Sequence, residues 1–232
     1  MAKLSIIIPV YNEERTISKV IENVKGKKIG NIQKEIIIVD DCSTDSTKNI
    51  LKKIKDSSIK IFYHKNNMGK GAAIRTGLKN STGGIILIQD ADFEYNPDDY
   101  GKLLKPIIGK KAKVVYGSRL NALRKDMKNI YKLHYMGNLF LTFMTNLLYG
   151  AKITDMETGY KVFRKEVIKG IRLRANRFDF EPEITSKILK KGYRIYEVPI
   201  SFAGRKFEEG KKITWIDGVK AAYYLLKYRF FD

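Results

Sequence analysis

The stretch "GGIILIQDADFEYNPDDY", residues Gly83–Tyr100, decides how this chain folds. Ile85–Gln89 is a nearly unbroken apolar, β-prone run, as expected of a strand buried on both faces. It ends in Asp90 and Asp92, with Glu94 and a Pro-Asp-Asp turn behind them. Acids crowd the end of a buried strand in a chain whose formal net charge is +20.

The same pattern recurs outward from this point. "LSIIIPVY" (Leu4–Tyr11) and "KEIIIVDDCSTDST" (Lys34–Thr47) are apolar runs that end in polar residues. "IKIFYH" (Ile59–His64) reads as a further strand. Between them lie helical spacings, such as Ile17, Val20, Ile21 and Val24. "NNMGKGAAIRTGLKNS" (Asn66–Ser81) is a glycine-rich turn into a helix, and "DDYGKLLKPIIGK" another helix. Strand and helix alternate through short connections, which predicts a mainly parallel sheet covered by helices on both faces. Ligands of such sheets bind beyond the carboxyl ends of the strands. Tyr11–Glu13, Asp40–Asp41 and Asp90–Asp92 all fall there, so one site is expected.

After about residue 112 the rhythm changes. "KVVYGSRL" reads as a strand ending at Arg119, Met127–Tyr149 as a long helix, and "TDMETGYKVFRKEVI" as a loop entering a helix. "FDFEPEITSKILKKG" is a helix with an acidic start, "YRIYEVPISF" a strand, and "ITWIDGVKAAYYLLKYRFF" a terminal helix.

The totals bound the function. The 232 residues suffice for one large domain or two small ones. At 44% hydrophobic and 30% charged the chain is globular. One cysteine excludes a disulfide framework and a cysteine-based zinc site, and fits a reducing compartment. The N-terminus runs directly into a strand pattern without a secretory signal, and no run of 18 apolar residues suggests a membrane span. The positive charge sits mostly in the second half: Lys110–Tyr135 holds eight Lys/Arg against one Asp. An anionic partner is implied: nucleic acid, an anionic membrane surface or a phosphorylated substrate. A solvated lysine-rich surface is the plainer alternative. The fourteen tyrosines lie mostly inside strand and helix patterns, and no recognition motif accompanies them, so nucleic acid is not the expected partner.

Two carboxylates at i and i+2 point apart in a regular strand but converge in a turn just past its end. Hard oxygen ligands of this type suit Mg²⁺ or Mn²⁺. Alone, an Asp-x-Asp reads more readily as a turn with a helix cap. Its place after a buried strand, with Asp40–Asp41 ending another, favours the metal. The glycine-rich stretch is neither a dinucleotide fingerprint, since Ile74 stands where Gly or Ala is required, nor a Gly-x4-Gly-Lys-Ser/Thr phosphate loop.

Taken together, "SIIIPVYNEERTI", "IIIVDDCSTDST", "NMGKGAAIRTG", "GGIILIQDADFEY", "YGSRL", "TDMETGYKVFRKEV" and "EVPISFAGR" resemble the family-2 glycosyltransferases with the GT-A nucleotide-sugar fold. The last three narrow the resemblance to dolichyl-phosphate mannose or glucose synthases. The resemblance implies one GT-A domain over 1–232, with a nucleotide-sugar-binding half (1–112) and an acceptor-binding half (113–232) carrying amphipathic helices. It implies an inverting transfer of a hexose from GDP-mannose or UDP-glucose to a polyprenyl phosphate. Pro9, Tyr11, Glu13, Val39, Asp40 and Asp41 would line the nucleotide, with Lys70 beside it. Asp90, Ala91 and Asp92 would form the Asp-x-Asp element, with Asp92 the main metal ligand, Asp90 near ribose or sugar, and Glu94 close to the metal. Arg119, Arg205 and Lys211 would bind phosphates of donor and acceptor, Arg119 acting with Asp90 and Asp92 in catalysis. Cys42 departs from the glycine common at its position and is read as an inert turn residue.

A lipid phosphate is already anionic and needs positioning, whereas a sugar hydroxyl needs a base, for which Asp155 and Glu157 are the candidates. Both acceptors stay open. A polyprenyl acceptor also implies a bilayer. The apolar-faced stretches Met136–Tyr149 and Trp215–Phe230 fit interfacial helices, placing the chain on the cytoplasmic face of a membrane, with or without a separate anchoring subunit.

Overall fold

The computed structural model describes residues 3–125, 132–204 and 215–231. Seven strands form one sheet in the order β3-β2-β1-β4-β6-β5-β7. β1 (Lys3–Val10), β2 (Gln33–Asp40), β3 (Ile59–Tyr63) and β4 (Ile85–Ile88) run parallel, as expected. β5 (Val114–Ser118) pairs in parallel with β7 (Ile195–Pro199). The chain winds outward from β1 to β3, then returns to place β4 on the other side of β1. Strand order therefore reverses between β1 and β4, the position where a crevice opens in this type of sheet.

Burial on both faces explains the apolar runs. Leu4, Ile6, Ile8 and Val10 of β1 pack with Ile17, Val20, Ile21 and Val24 of α1 (Ile17–Gly26). Ile7, on the opposite face, meets Ile74 of α3 (Lys70–Asn80) and the cluster containing Phe180, Ile184 and Ile188 of α8 (Phe180–Lys190). Each fully buried side chain of this size contributes about 1.5–3 kcal/mol. α2 (Thr47–Lys52) and α4 (Tyr100–Ile108) lie on the α1 side.

One element differs from expectation. "TDMETGYKVFRKEVI" is not simply a loop entering a helix. Lys161–Arg164 forms β6, antiparallel to both β4 and β5, before the short α7 (Lys165–Ile168). Four residues are too short a period for the alternation to show in sequence, and burial between two apolar strands decides the matter. The long helix appears as α6 (Lys132–Tyr149), preceded by α5 (Leu120–Lys125), and the terminal helix as α9 (Trp215–Phe230). Among the described residues no helix is long and apolar enough to cross a membrane.

Candidate active site

Pro9 and Val39 sit opposite each other in the β1–β2 register, one step before Val10 and Asp40. The loops that leave these strands clamp each other. Asn12, at φ 52°, accepts from Thr44 N through Oδ1 (2.8 Å) and donates its own N–H to Ser43 Oγ (3.0 Å). Glu13 N donates to Thr47 Oγ1, and Ser46 N to Glu14 Oε2. Cys42 holds the left-handed φ of 62° that glycine would adopt without strain, so the turn keeps the glycine conformation. These clamps hold Tyr11 and Glu13 at the crevice. Thr16 Oγ1, 2.8 Å from Glu13 Oε2 and 2.9 Å from the Ala91 carbonyl, ties them to the Asp-x-Asp turn.

Asp40 and Asp41 are both buried but turn different ways. Asp40 Oδ1 accepts from Ser43 N, while its Oδ2 is buried without a hydrogen-bond partner among the described residues. Asp41 is turned inward. Its oxygens accept from Met68 N (2.9 Å) and Gly69 N (2.6 Å), and Oδ1 lies 2.7 Å from His64 Nδ1. Asp41 therefore positions the turn into α3, and Asp40 is the acid with an unmet polar atom. Gly69 (φ 97°) begins α3 against the 175–177 segment, where an added Cβ would lie 2.4 Å from the Asn176 carbonyl oxygen.

Asp90 lies just past β4. Beneath it Gln89 is fixed by Tyr100 and Tyr160, whose hydroxyls both donate to its Oε1 at 2.7 Å. Asp90 Oδ1 accepts an ion pair from Lys70 Nζ (2.9 Å), and Lys70 also reaches Glu181 Oε1 (3.0 Å). Burial disfavours the Lys70 charge, but Asp90 and Glu181 more than offset this and raise its pKa well above the ordinary value. Asp90 Oδ2 occupies space that only a glycine leaves: a Cβ on Gly159 would stand 2.3 Å from it. Asp92 accepts from Glu94 N at 3.1 Å in a local turn.

Among the described residues no group of three His, Cys, Asp or Glu side chains is gathered as a set of metal ligands. Asp90 is engaged by Lys70, and Asp92 accepts from Glu94 N. Two oxygen-donor carboxylates, one in a glycine-lined recess, still suit a cation that keeps waters and binds a diphosphate.

Arg119, at the end of β5, lies against Asp155 through Nε–Oδ2 and Nη2–Oδ1 contacts of 2.7 Å each, with its guanidinium 5.1 Å from the Phe202 ring centroid. Two of the five donors of a guanidinium are so used. Burial opposes both charges, yet each stabilises the other: Arg119 is raised and Asp155 held below the usual carboxylate range. Arg205 and Lys211 lie outside the described residues.

Glu157, Glu181 and Lys161 were not legible as a group. Glu181 and Lys161 are buried, and Lys161 Nζ donates to the Met156 and Thr158 carbonyls. Burial, followed by nearby Glu181, pushes Glu157 up to about 8. Burial lowers Lys161. The acidic start of "FDFEPEI" was the visible trace of Glu181, but helix capping explains such acids equally well.

Such a mostly parallel seven-stranded sheet, with acids at the switch point and Lys70 joining Asp90 to Glu181, is a fold of the GT-A glycosyltransferase type. Glucosyl-3-phosphoglycerate synthase from Mycobacterium tuberculosis, solved with Mn²⁺, uridine diphosphate and phosphoglyceric acid, superposes with a TM-score of 0.73 at 18% identity, over 100% of this chain and 80% of that one. The chain belongs to glycosyl transferase family 2, which residues 5–172 match. It is 34% identical to the UDP-N-acetylglucosamine–dolichyl-phosphate N-acetylglucosaminyltransferase of Methanococcus voltae, over 95% of this chain and 94% of the relative. It is 29% identical to a dolichyl-phosphate β-glucosyltransferase of Dictyostelium discoideum, over 98% of this chain and 74% of the relative.

Proposed function

We propose that this glycosyltransferase moves one sugar, with inversion, from a nucleotide-diphosphate sugar to a polyprenyl phosphate. The observation that carries the reading is the Lys70–Asp90–Asp92 corner at the β1–β4 switch point, where a diphosphate would meet both a fixed ammonium and two carboxylates. Relatives named for dolichyl-phosphate acceptors support the acceptor class. The Methanococcus name widens the donor beyond mannose and glucose to N-acetylglucosamine, and favours a UDP-sugar over GDP-mannose.

Asp92, with Asp90, would hold Mg²⁺ or Mn²⁺, which when bound offsets the charge of the departing diphosphate. The chain's own residues do the rest. The clamped loops after β1 and β2 hold the nucleotide between Tyr11, Glu13 and Asp40. Lys70, locked between Asp90 and Glu181, presents a fixed positive charge as the leaving group becomes anionic. Arg119, pre-oriented by Asp155, has donors left for a phosphate. The acceptor phosphate already carries the negative charge of a nucleophile, so it is aligned by cations and needs no base.

A second reading keeps the donor and takes a sugar hydroxyl as acceptor. Glu157 favours it, because a carboxylate held near neutrality is the type of base that such an acceptor requires.

The test is a transfer assay with Mn²⁺ or Mg²⁺, detergent-dispersed polyprenyl phosphate and labelled UDP-N-acetylglucosamine, UDP-glucose or GDP-mannose in parallel. Label in the organic phase from one donor establishes reaction and donor together. Donor hydrolysis without lipid product moves the assignment to a hydroxyl acceptor.

A further inference from the structure

A cavity of about 460 Å³ lies between α9 and the 174–179 segment that leads into α8. Its volume is that of a small-molecule site. Arg174, Arg177, Lys220 and Lys227 line it against Asp179 and Asp217, which leaves two positive charges in excess. Among the described residues none of the four cations forms a salt bridge. Tyr224 and Phe178 add ring surface. Among the described residues neither Lys70 nor any acid at the ends of β1, β2 and β4 lines this cavity, so it is a different place from the crevice.

The wall of the cavity is pinned. Glu183 of α8 is fully buried, pairs with Lys187 (2.9 Å), and accepts from Arg174 N (2.8 Å) and Ala175 N (2.7 Å). Asp179 Oδ1 accepts from Arg177 N at 2.8 Å. Behind the wall, Ala72 N donates to Asn176 O (3.1 Å) and Arg75 Nη2 to Asn176 Oδ1 (2.6 Å). The backbone that carries Arg174 and Arg177 is thus held by α8, by Asp179 and by α3, while both guanidinium groups are left without a carboxylate. On the α9 side the Tyr224 and Tyr228 rings lie nearly parallel (19°, 5.8 Å between centroids), with Lys227 Nζ 5.6 Å from the Tyr224 centroid. A single exposed lysine is ordinarily just solvated. Here cations from two elements converge on one concavity whose shape is fixed without them.

We propose that this cavity binds a nucleoside diphosphate, at a second site apart from the donor crevice and without a metal ion. The two excess positive charges answer the charge of a diphosphate, and arginines on a pinned backbone suit phosphate oxygens. The ring surface of Tyr224 and Phe178 takes the base by stacking. A phosphate without a base would use the cations and leave that surface bare. The site requires no sugar transfer, so it stands or falls apart from the proposed reaction.

The experiment is calorimetric titration of the full chain with adenosine diphosphate (ADP) in the presence of EDTA, which removes metal-dependent binding at the crevice. One ADP per chain is expected, with an affinity that falls as salt rises. Lys220→Ala/Lys227→Ala and Arg174→Ala should each raise Kd, by about tenfold per cation removed. Inorganic pyrophosphate should bind about tenfold more weakly than ADP, for want of the base. Tyr11→Ala, which alters the crevice, should leave ADP binding as in the parent. Circular dichroism shows that each variant is folded. Absence of ADP binding, binding that the folded cation variants do not weaken, or binding that Tyr11→Ala weakens as they do overturns the proposal. Equal affinity for pyrophosphate and ADP also overturns it, because the site would then not read a nucleoside. Failure of sugar transfer with this ADP binding intact removes the proposed reaction and leaves the second site.

Discussion

Arg119 and Asp155 meet edge to edge across two 2.7 Å hydrogen bonds, and Arg119 N adds a third to the same carboxylate at 2.9 Å. Asp155 is almost fully buried, with 1% of its side chain exposed, and Asn138 Nδ2 also donates to it. The pair links β5 to the loop before β6 and aims the guanidinium into the site. Removing one partner leaves a buried charge without its counter-ion, at a cost of about 3–5 kcal/mol. Asp155→Ala and Arg119→Ala should each destabilise the fold on this scale in urea unfolding, and the double variant should lose clearly less than their sum. Additive losses would show that the pair is not one energetic unit.

Asp92 lies at the strand end rather than in the core, so its removal should separate chemistry from folding. Asp92→Ala is expected to lower kcat by ~10²–10³-fold or more, on the scale of losing one electrostatic contact to a developing charge. Asp92 is buried at the strand end and accepts a hydrogen bond from Glu94 N, so a stability loss of about 1–3 kcal/mol is expected. Chelation of divalent cations should abolish transfer by the parent chain, and Mn²⁺ or Mg²⁺ should restore it. Near-normal transfer by the variant would remove the metal assignment.

Gly159 is required for a spatial reason. An added Cβ would meet Asp90 Oδ2 at 2.3 Å and the Tyr95 ring at 2.9 Å. Gly159→Ala should push Asp90 off its ion pair with Lys70 and cost about 1–3 kcal/mol through overpacking. The diagnostic outcome is a larger fall in kcat than in the affinity of the free chain for UDP. Unchanged kinetics would mean that Asp90 can move without consequence.

Glu35 controls the acid limit of stability from the other end of the sheet. Its carboxylate accepts from Ser5 Oγ at 2.5 Å and from Thr82 N at 2.6 Å, and pairs with Lys3 and Lys60. Burial opposes its charge, but these hydrogen bonds prevail and hold it well below the usual carboxylate range. A depressed folded pKa contributes stability above the unfolded value of about 4.5, which is lost as pH falls below it. Glu35→Gln should flatten this acid limb in urea titrations; an unchanged slope would assign the limb to other carboxylates.

The core was legible because β1, β2 and β4 are apolar on both faces, so no alternation had to be resolved. The acids at their ends were legible for a related reason: a polar residue following a buried run stands where the chain leaves the sheet. What could not be read was the choice of partner. Asp40 and Asp41 are adjacent and identical in sequence, yet among the described residues one keeps an oxygen without a hydrogen-bond partner while the other is consumed by Met68 and Gly69, more than twenty-five residues on. The ion pair that Lys70 of α3 makes with Asp90 was hidden in the same way. Such pairings depend on three-dimensional packing, to which local spacing is blind.

Glu157 decides between the two acceptors. The charges of Glu181, Lys161, Arg119 and Asp155 act on it, and burial followed by the Glu181 charge raises its folded pKa to about 8 from an unfolded value of 4.5. The folded state thus holds a proton that the unfolded state releases. Stability from this group is complete below about pH 4.5 and is lost as pH rises to about 8. Glu157→Gln keeps a neutral side chain of the same shape, so the variant should be more stable than the parent above about pH 8. Urea unfolding across that range checks this, and a parent-like decline in the variant would place the titration elsewhere. If the acceptor is a lipid phosphate, the same variant should retain kcat within about threefold, because no proton need be removed by the chain. If it is a sugar hydroxyl, kcat should fall by ~10²–10⁴-fold, as for loss of a general base, and the parent rate should rise with pH toward about 8. Retained transfer to polyprenyl phosphate by a variant with the altered stability profile would make Glu157 a half-buried structural acid and leave the acceptor phosphate as its own nucleophile.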